Sequence, residues 1–186
     1  MDIRTGGTWL AFNQTGILCF ILNQELNRED ISLETRSFII LKILKDAMSI
    51  NQVLNNVNNL DVNSIKPFNL IVMNKNNVYY ISNRKNNKKI RVIKKLDGKL
   101  ILLNRSFPND MNQIRIKSNY RIFKEIKEPN FKDLHSWKKI LLYKKYVNCQ
   151  SDEISMSLNS KTWETLNSVI LFLSTIDNNI NYRIIK

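Results

Sequence analysis

The sequence predicts an α+β fold in which helices cover mainly antiparallel sheets, and three observations predict it. Stretches of period 2 and period 3.6 alternate in the order strands, helices, strands, helices, strands. Turn signals, above all Asp97-Gly98, separate consecutive strand-like stretches, as hairpins require. The segment from Ile17 to Leu22 is apolar at both parities, so that strand needs cover on both faces.

Trp9 to Asn13 alternates, Gly16 turns the chain, and Ile17 to Asn23 forms the return strand of a first hairpin. From Leu33 to Met48 the period lengthens, and Ile40, Leu41, Leu44 and Met48 predict a helical stripe. Ser49 then caps a second helix with Ile50, Val53, Leu54 and Val57 on one side. Pro67 to Val72 and Val78 to Ser82 read as strands joined by a polar turn at Asn74 and Asn76. Lys89 to Ile93 and Leu100 to Leu103 read as the two arms of the Asp97-Gly98 hairpin. Helices follow over Met111 to Ile126 and Leu134 to Tyr146, with Pro129 between them. Asn167 to Ser174, a turn at Asp177 to Asn179, and Tyr182 to Ile185 close the chain as a hairpin.

The 186 residues fit one domain, and 43% hydrophobic content supplies a core. The run Val169 to Leu173 falls far short of the roughly 18 apolar residues of a membrane helix. With no basic-apolar leader in view, the expectation is a cytoplasmic protein without a transmembrane segment. Two cysteines, Cys19 and Cys149, make no disulfide framework, and Cys19 reads as a small core hydrophobe. The net charge of +13 invites a nucleic-acid reading, but asparagine, isoleucine and lysine dominate the composition, as AT-rich coding favours. Part of the charge therefore reflects composition, and the basic stretch from Arg84 to Lys95 reads first as a solvated sheet face or edge.

The sequence carries no Gly-x-Gly-x-x-Gly, no lysine-bearing phosphate loop and no Gly-x-Ser-x-Gly elbow. The acidic dipeptides Glu29-Asp30 and Asp152-Glu153 read as turns or caps. His135 is the sole histidine, with no second ligand at zinc spacing, so no metal site is expected. Asparagines at strand ends and edges remain: Asn23, Asn69, Asn83 and Asn104. A carboxamide both donates and accepts, so several converging in one groove position a carbonyl.

"GGTWLAFNQTG", "LCFILNQ" and "PFNLIVMNKNNVYYISNR" occur in an order that resembles the NRDE family, the family of transport and Golgi organisation protein 2. The matching positions include Gly6, Gly7, Thr8, Trp9, Leu10, Asn23, Phe68, Asn69, Leu70, Tyr79, Tyr80, Asn83 and Arg84. "ILLNRSF" keeps Asn104, and "TLNSVILFLSTIDNN" keeps Asn167 and Ser168.

The resemblance implies the α-β-β-α layers of an N-terminal-nucleophile hydrolase, mainly antiparallel, as a single NRDE-like domain over residues 1–186. It implies a ligand groove drawing on Gly6, Gly7, Thr8 and Trp9 at the start of the chain, with Asn23, Asn69, Asn83, Arg84, Asn104 and Asn167 from later strands. The implied occupant is a small hydrophobic or acyl-like molecule, or haem, for which His135 is the sole conventional nitrogen ligand. Relatives begin Met-Cys and carry Asn-Arg-Asp-Glu upstream of Gly-Gly-Thr-Trp, whereas here Gly6 stands near the start and "NRED" at Asn27 to Asp30 lies after the tryptophan strand. The expectation is therefore an N-terminally shortened member with no catalytic residue and no resident cofactor, since Cys19 lies within a strand and has no free amine to act as base. Two alternatives stay open: an amidohydrolase-like enzyme of the N-terminal-nucleophile type, and an anion- or nucleic-acid-binding protein.

Overall fold

The computed structural model describes residues 6–24, 34–83, 91–96, 100–102, 104, 106–125, 146–147, 152–153, 168–173 and 180–185. Contacts divide the chain into two compact units, Met1–Gly98 with Leu103–Ser106, and Lys99–Leu102 with Phe107–Lys186. The elements are helices and antiparallel strands, the α+β class that the sequence predicts.

The first unit holds β1 (Leu10–Phe12), β2 (Leu18–Asn23), α1 (Ser37–Leu44), α2 (Ile50–Asn58), β3 (Phe68–Met73), β4 (Val78–Ser82) and β5 (Arg91–Lys95). The five strands form one sheet in chain order, antiparallel throughout. Residues opposite one another on a ladder share a face. Cys19, Val72 and Tyr79 therefore emerge together, as do Ile21, Leu70 and Ile81. This face buries its apolar side chains against Ile39, Ile40 and Ile43 of α1 and Ile50, Val53 and Val57 of α2. The opposite face carries the rows Phe20–Ile71–Tyr80 and Leu22–Asn69–Ser82. Apolar parity on both faces of β2 and β3 thus has its physical outlet.

The β1–β2 turn is built on Asn13. Its Oδ1 accepts from Thr15 N–H (3.1 Å), Thr15 Oγ1 (2.7 Å) and Ile17 N–H (3.0 Å), and its Nδ2 donates to Ala47 O (2.7 Å). One half-buried carboxamide therefore closes the hairpin and ties it to the segment after α1. At the outer edge, Trp9 O accepts from Ile21 N–H and Asn13 N–H donates to Ile17 O. Alternation then turns the backbone groups of Leu10 outward. Thr8 Oγ1 donates to Leu10 O (2.8 Å) and accepts from Leu10 N–H (3.4 Å).

Ser49 caps α2 as its sequence position predicts, and Gln52 returns the bond to form a capping box. The stripe of α1 differs from expectation. Ile39, Ile40 and Ile43 are buried, whereas Leu41 is 45% and Met48 62% exposed. "SFIILKIL" is apolar nearly all round, so its periodicity does not select a face; packing against β2 does.

The second unit holds α3 (Ile114–Glu125), the short pair β6 (Tyr146–Val147) and β7 (Asp152–Glu153), and the hairpin β8 (Ser168–Leu173) with β9 (Ile180–Ile185). Here three expectations are corrected. Residues 100–102 are not the return arm of a hairpin, because Ile101 N–H donates to Asn109 Oδ1 (2.8 Å) and Ile101 O accepts from Asn109 N–H (2.9 Å). That side chain competes successfully with a ladder. The helix expected from Met111 begins at Ile114, since Gln113 N–H is held by Asp110 O in a preceding turn. Asp152-Glu153, read as a turn, pairs with Tyr146–Val147, so Tyr146 also lies in a strand rather than at a helix end. Asp97-Gly98, Pro129 and the expected helix from Leu134 lie outside the described residues.

Candidate functional site

Antiparallel order brings the end of β2, the start of β3 and the end of β4 to one end of the sheet. Asn23, Asn69 and Asn83 all stand at that end, with Asn23 on the face of Cys19 and Ile21 and Asn69 on the opposite face beside Leu22 and Ser82. A parallel bridge between Glu34 and Ile65 lays the chain before α1 beside the chain before β3. It delivers Arg36 to Pro67: the buried guanidinium donates from Nε to Pro67 O (2.6 Å) and from Nη1 to Asn23 Oδ1 (2.7 Å). Pro67 O also accepts from Gln24 N–H (3.1 Å).

Asn69, on the opposite face from Asn23, centres a second group of bonds and is fully buried. Its Oδ1 accepts from Tyr80 Oη (2.6 Å) and from Gln24 Nε2, and its Nδ2 donates to Ser106 O (3.0 Å). These partners fix which end of the amide is oxygen, because two donors face one atom and a carbonyl faces the other. Asn83 Oδ1 accepts from Phe68 N–H (2.7 Å), and its Nδ2 reaches Ile65 O (3.4 Å). Ser82 follows Asn69 on the ladder, on the same face. It is 4% exposed, and its Oγ has no hydrogen-bond partner among the described residues.

The three asparagine oxygens each have a donor: Asn23 from Arg36, Asn69 from Tyr80 and Gln24, Asn83 from the Phe68 backbone. The side chains bonded in these networks are neutral apart from the Arg36 guanidinium.

The remaining sequence candidates are placed differently. Gly6 takes φ +71° with open space around it, a left-handed conformation that glycine adopts without strain. A Cβ on Gly7 would lie 2.5 Å from the Ser37 backbone carbon and oxygen, and Thr8 N–H donates to Ser37 O (2.8 Å). The paired glycines therefore dock the chain onto the first turn of α1, next to Arg36. Trp9 is about one-third exposed, and Asn104 is exposed, with Ser106 O serving Asn69 from that segment. Arg84, His135 and Asn167 lie outside the described residues. Gln24, Arg36, Ser82 and Ser106 were not legible as site residues, because isolated polar residues at strand ends and caps look alike in sequence.

Cys19 is buried in the apolar layer, and burial pushes its thiol up from 9.0 to about 12. It remains protonated at neutral pH and is no nucleophile. Among the described residues, no group of three or more His, Cys, Asp or Glu side chains could hold a metal ion. Nor is any helix among them long and apolar enough to cross a membrane. None of the curated proteins matches the chain significantly. The Gly-Gly-Thr-Trp docking segment, the buried Phe68-Asn69-Leu70 strand and the Tyr80–Asn69 bond occupy positions of the motifs by which the sequence resembles NRDE proteins. The family model for Transport and Golgi organisation 2 matches residues 1–180, nearly the whole chain, and the protein belongs to that family.

Proposed function

We propose that this member of the Transport and Golgi organisation 2 family binds a small hydrophobic, acyl-like molecule through its carbonyl or carboxylate oxygen, at the carboxamide end of the five-stranded sheet. One observation carries the reading: Tyr80 and Gln24 occupy the Asn69 amide oxygen, while the buried Ser82 hydroxyl on the same face has no hydrogen-bond partner among the described residues. Excess buried donors favour an electron-rich oxygen and disfavour an ammonium or a second donor. Binding rather than turnover fits a Cys19 thiol kept protonated by burial. The family resemblance supports an N-terminal-nucleophile-hydrolase-like layering around this sheet, within a single NRDE-like domain.

Titration of dansyl-labelled undecanoic acid, followed by fluorescence, tests the proposal. Saturable binding is expected, with competition by lauric acid and by its neutral methyl ester. Dodecylammonium, which carries donors only, is expected to compete at least tenfold more weakly. Equal competition by the ammonium compound would overturn the reading. Haemin titrated into wild-type and His135→Ala protein tests the haem expectation separately. Loss of the iron–nitrogen spectrum on substitution supports it, and identical spectra dismiss it.

A further inference from the structure

We propose that Ser82 Oγ and the second amide hydrogen of Asn69 form a two-donor site that receives the carbonyl or carboxylate oxygen of an acyl chain. This inference rests on the ligand-binding reading above and names its atoms. Ser82 is 96% buried by its 4% exposure, and its hydroxyl is unpartnered. Folded interiors leave few such groups, and an unmade hydroxyl in one calls for an occupant. Asn69 and Ser82 are directly opposed on the β3–β4 ladder, which sets their Cβ atoms about 5 Å apart on one face. They make no hydrogen bond to one another. Two donors about 5 Å apart can converge on one oxygen, since each bond spans about 3 Å.

Chemistry sets the polarity of that oxygen. Tyr80 Oη and Gln24 Nε2 hold Asn69 Oδ1, so the amide presents nitrogen and not oxygen to any further partner. One of its two N–H groups goes to Ser106 O, and the other is left for a ligand. The Ser82 hydroxyl rotates to donate toward the same point. Beside this polar row, on the same face, runs the apolar pair Phe20–Ile71, matching the head-and-tail character of an acyl chain. Ser82 is the last residue of β4, so the site stands at the end of the sheet rather than at its middle.

The test uses the full chain, dansyl-labelled undecanoic acid, and the variants Ser82→Ala and Ser82→Thr. Ser82→Ala is expected to weaken binding about tenfold, the effect of one hydrogen bond to a charged or strongly polar oxygen. Ser82→Thr, which keeps the hydroxyl, is expected to restore most of it. Carboxyl-13C lauric acid and its methyl ester distinguish a carboxylate from a neutral carbonyl. The labelled resonance of whichever binds is expected to move between wild-type and Ser82→Ala protein. Unchanged affinity and an unmoved resonance in Ser82→Ala, with or without a raised melting temperature, would overturn the site and leave the broader reading standing. Wild-type protein that binds neither compound would overturn both.

Discussion

Gly7 offers the sharpest test of how the Gly-Gly-Thr-Trp segment is placed. Substitution by alanine adds one methyl group, whose carbon would lie 2.5 Å from the Ser37 backbone carbon, its oxygen and its Cβ. Ordinary carbon contacts are about 3.5 to 4 Å, so the two segments must separate by about 1 Å. Backbone, unlike a side-chain end, cannot rotate away. The separation stretches the Thr8 N–H to Ser37 O bond from 2.8 Å beyond hydrogen-bond range. Losing that bond costs about 1 kcal/mol, and overpacking adds about 1–3 kcal/mol. The sum is a destabilisation of about 2–4 kcal/mol. Gly6→Ala is the control: it meets nothing within 4 Å but must hold φ +71°, at a cost of about 1–2 kcal/mol. Urea unfolding followed by far-ultraviolet circular dichroism measures both, at constant m. Gly7→Ala within about 0.5 kcal/mol of wild type, or less damaging than Gly6→Ala, would refute the docking of this segment on α1.

Four other outcomes follow from the same structure. Asn69→Ala removes the bonds from Tyr80 Oη and Gln24 Nε2 and the bond to Ser106 O, and is expected to cost about 3–5 kcal/mol in urea unfolding, more than Tyr80→Phe, which removes the Tyr80 Oη bond to Asn69. Asn13→Ala removes four bonds at a half-buried turn and is expected to cost about 2–3 kcal/mol, with Ser49→Ala at the α2 cap costing about 1 kcal/mol. Because the folded Cys19 thiol titrates near 12 and the unfolded one near 9.0, its contribution to stability is fully present below pH 9 and is lost as pH rises toward 12. The slope is about 1.4 kcal/mol per pH unit relative to Cys19→Ala. Stability curves of the two proteins that stay parallel through that window would contradict the burial of the thiol.

Sequence legibility followed the locality of the cause. Ser49 and Gln52 lie within one turn of helix, so the α2 cap could be read directly. Asn23, Asn69 and Asn83 could be picked out because strand ends place side chains at the margin of a sheet, and antiparallel order then carried them to one end of it. The bonds themselves were not legible, since Gln24 and Asn69 are 45 positions apart and Arg36 reaches Pro67 across 31. Leu41 and Met48 entered the expected stripe because a helix apolar on every side has no preferred face until β2 packs against it. Leu100 to Leu103 reads as a strand by propensity, but the Asn109 side chain and backbone take both peptide groups of Ile101. The paired glycines announced a tight approach without revealing its partner, the Ser37 backbone.

The hydroxyl of Thr8 has a consequence for the protein in a crowded solution. By holding both outward peptide groups of Leu10, it shortens the stretch of exposed strand to which a neighbouring molecule could add a rung. The side chains beside it, Leu10 and Phe12, are sticky enough to reward such an addition. A threonine at this position therefore works as a gatekeeper against polymerisation, and its loss would surface as turbidity long before it surfaced as unfolding.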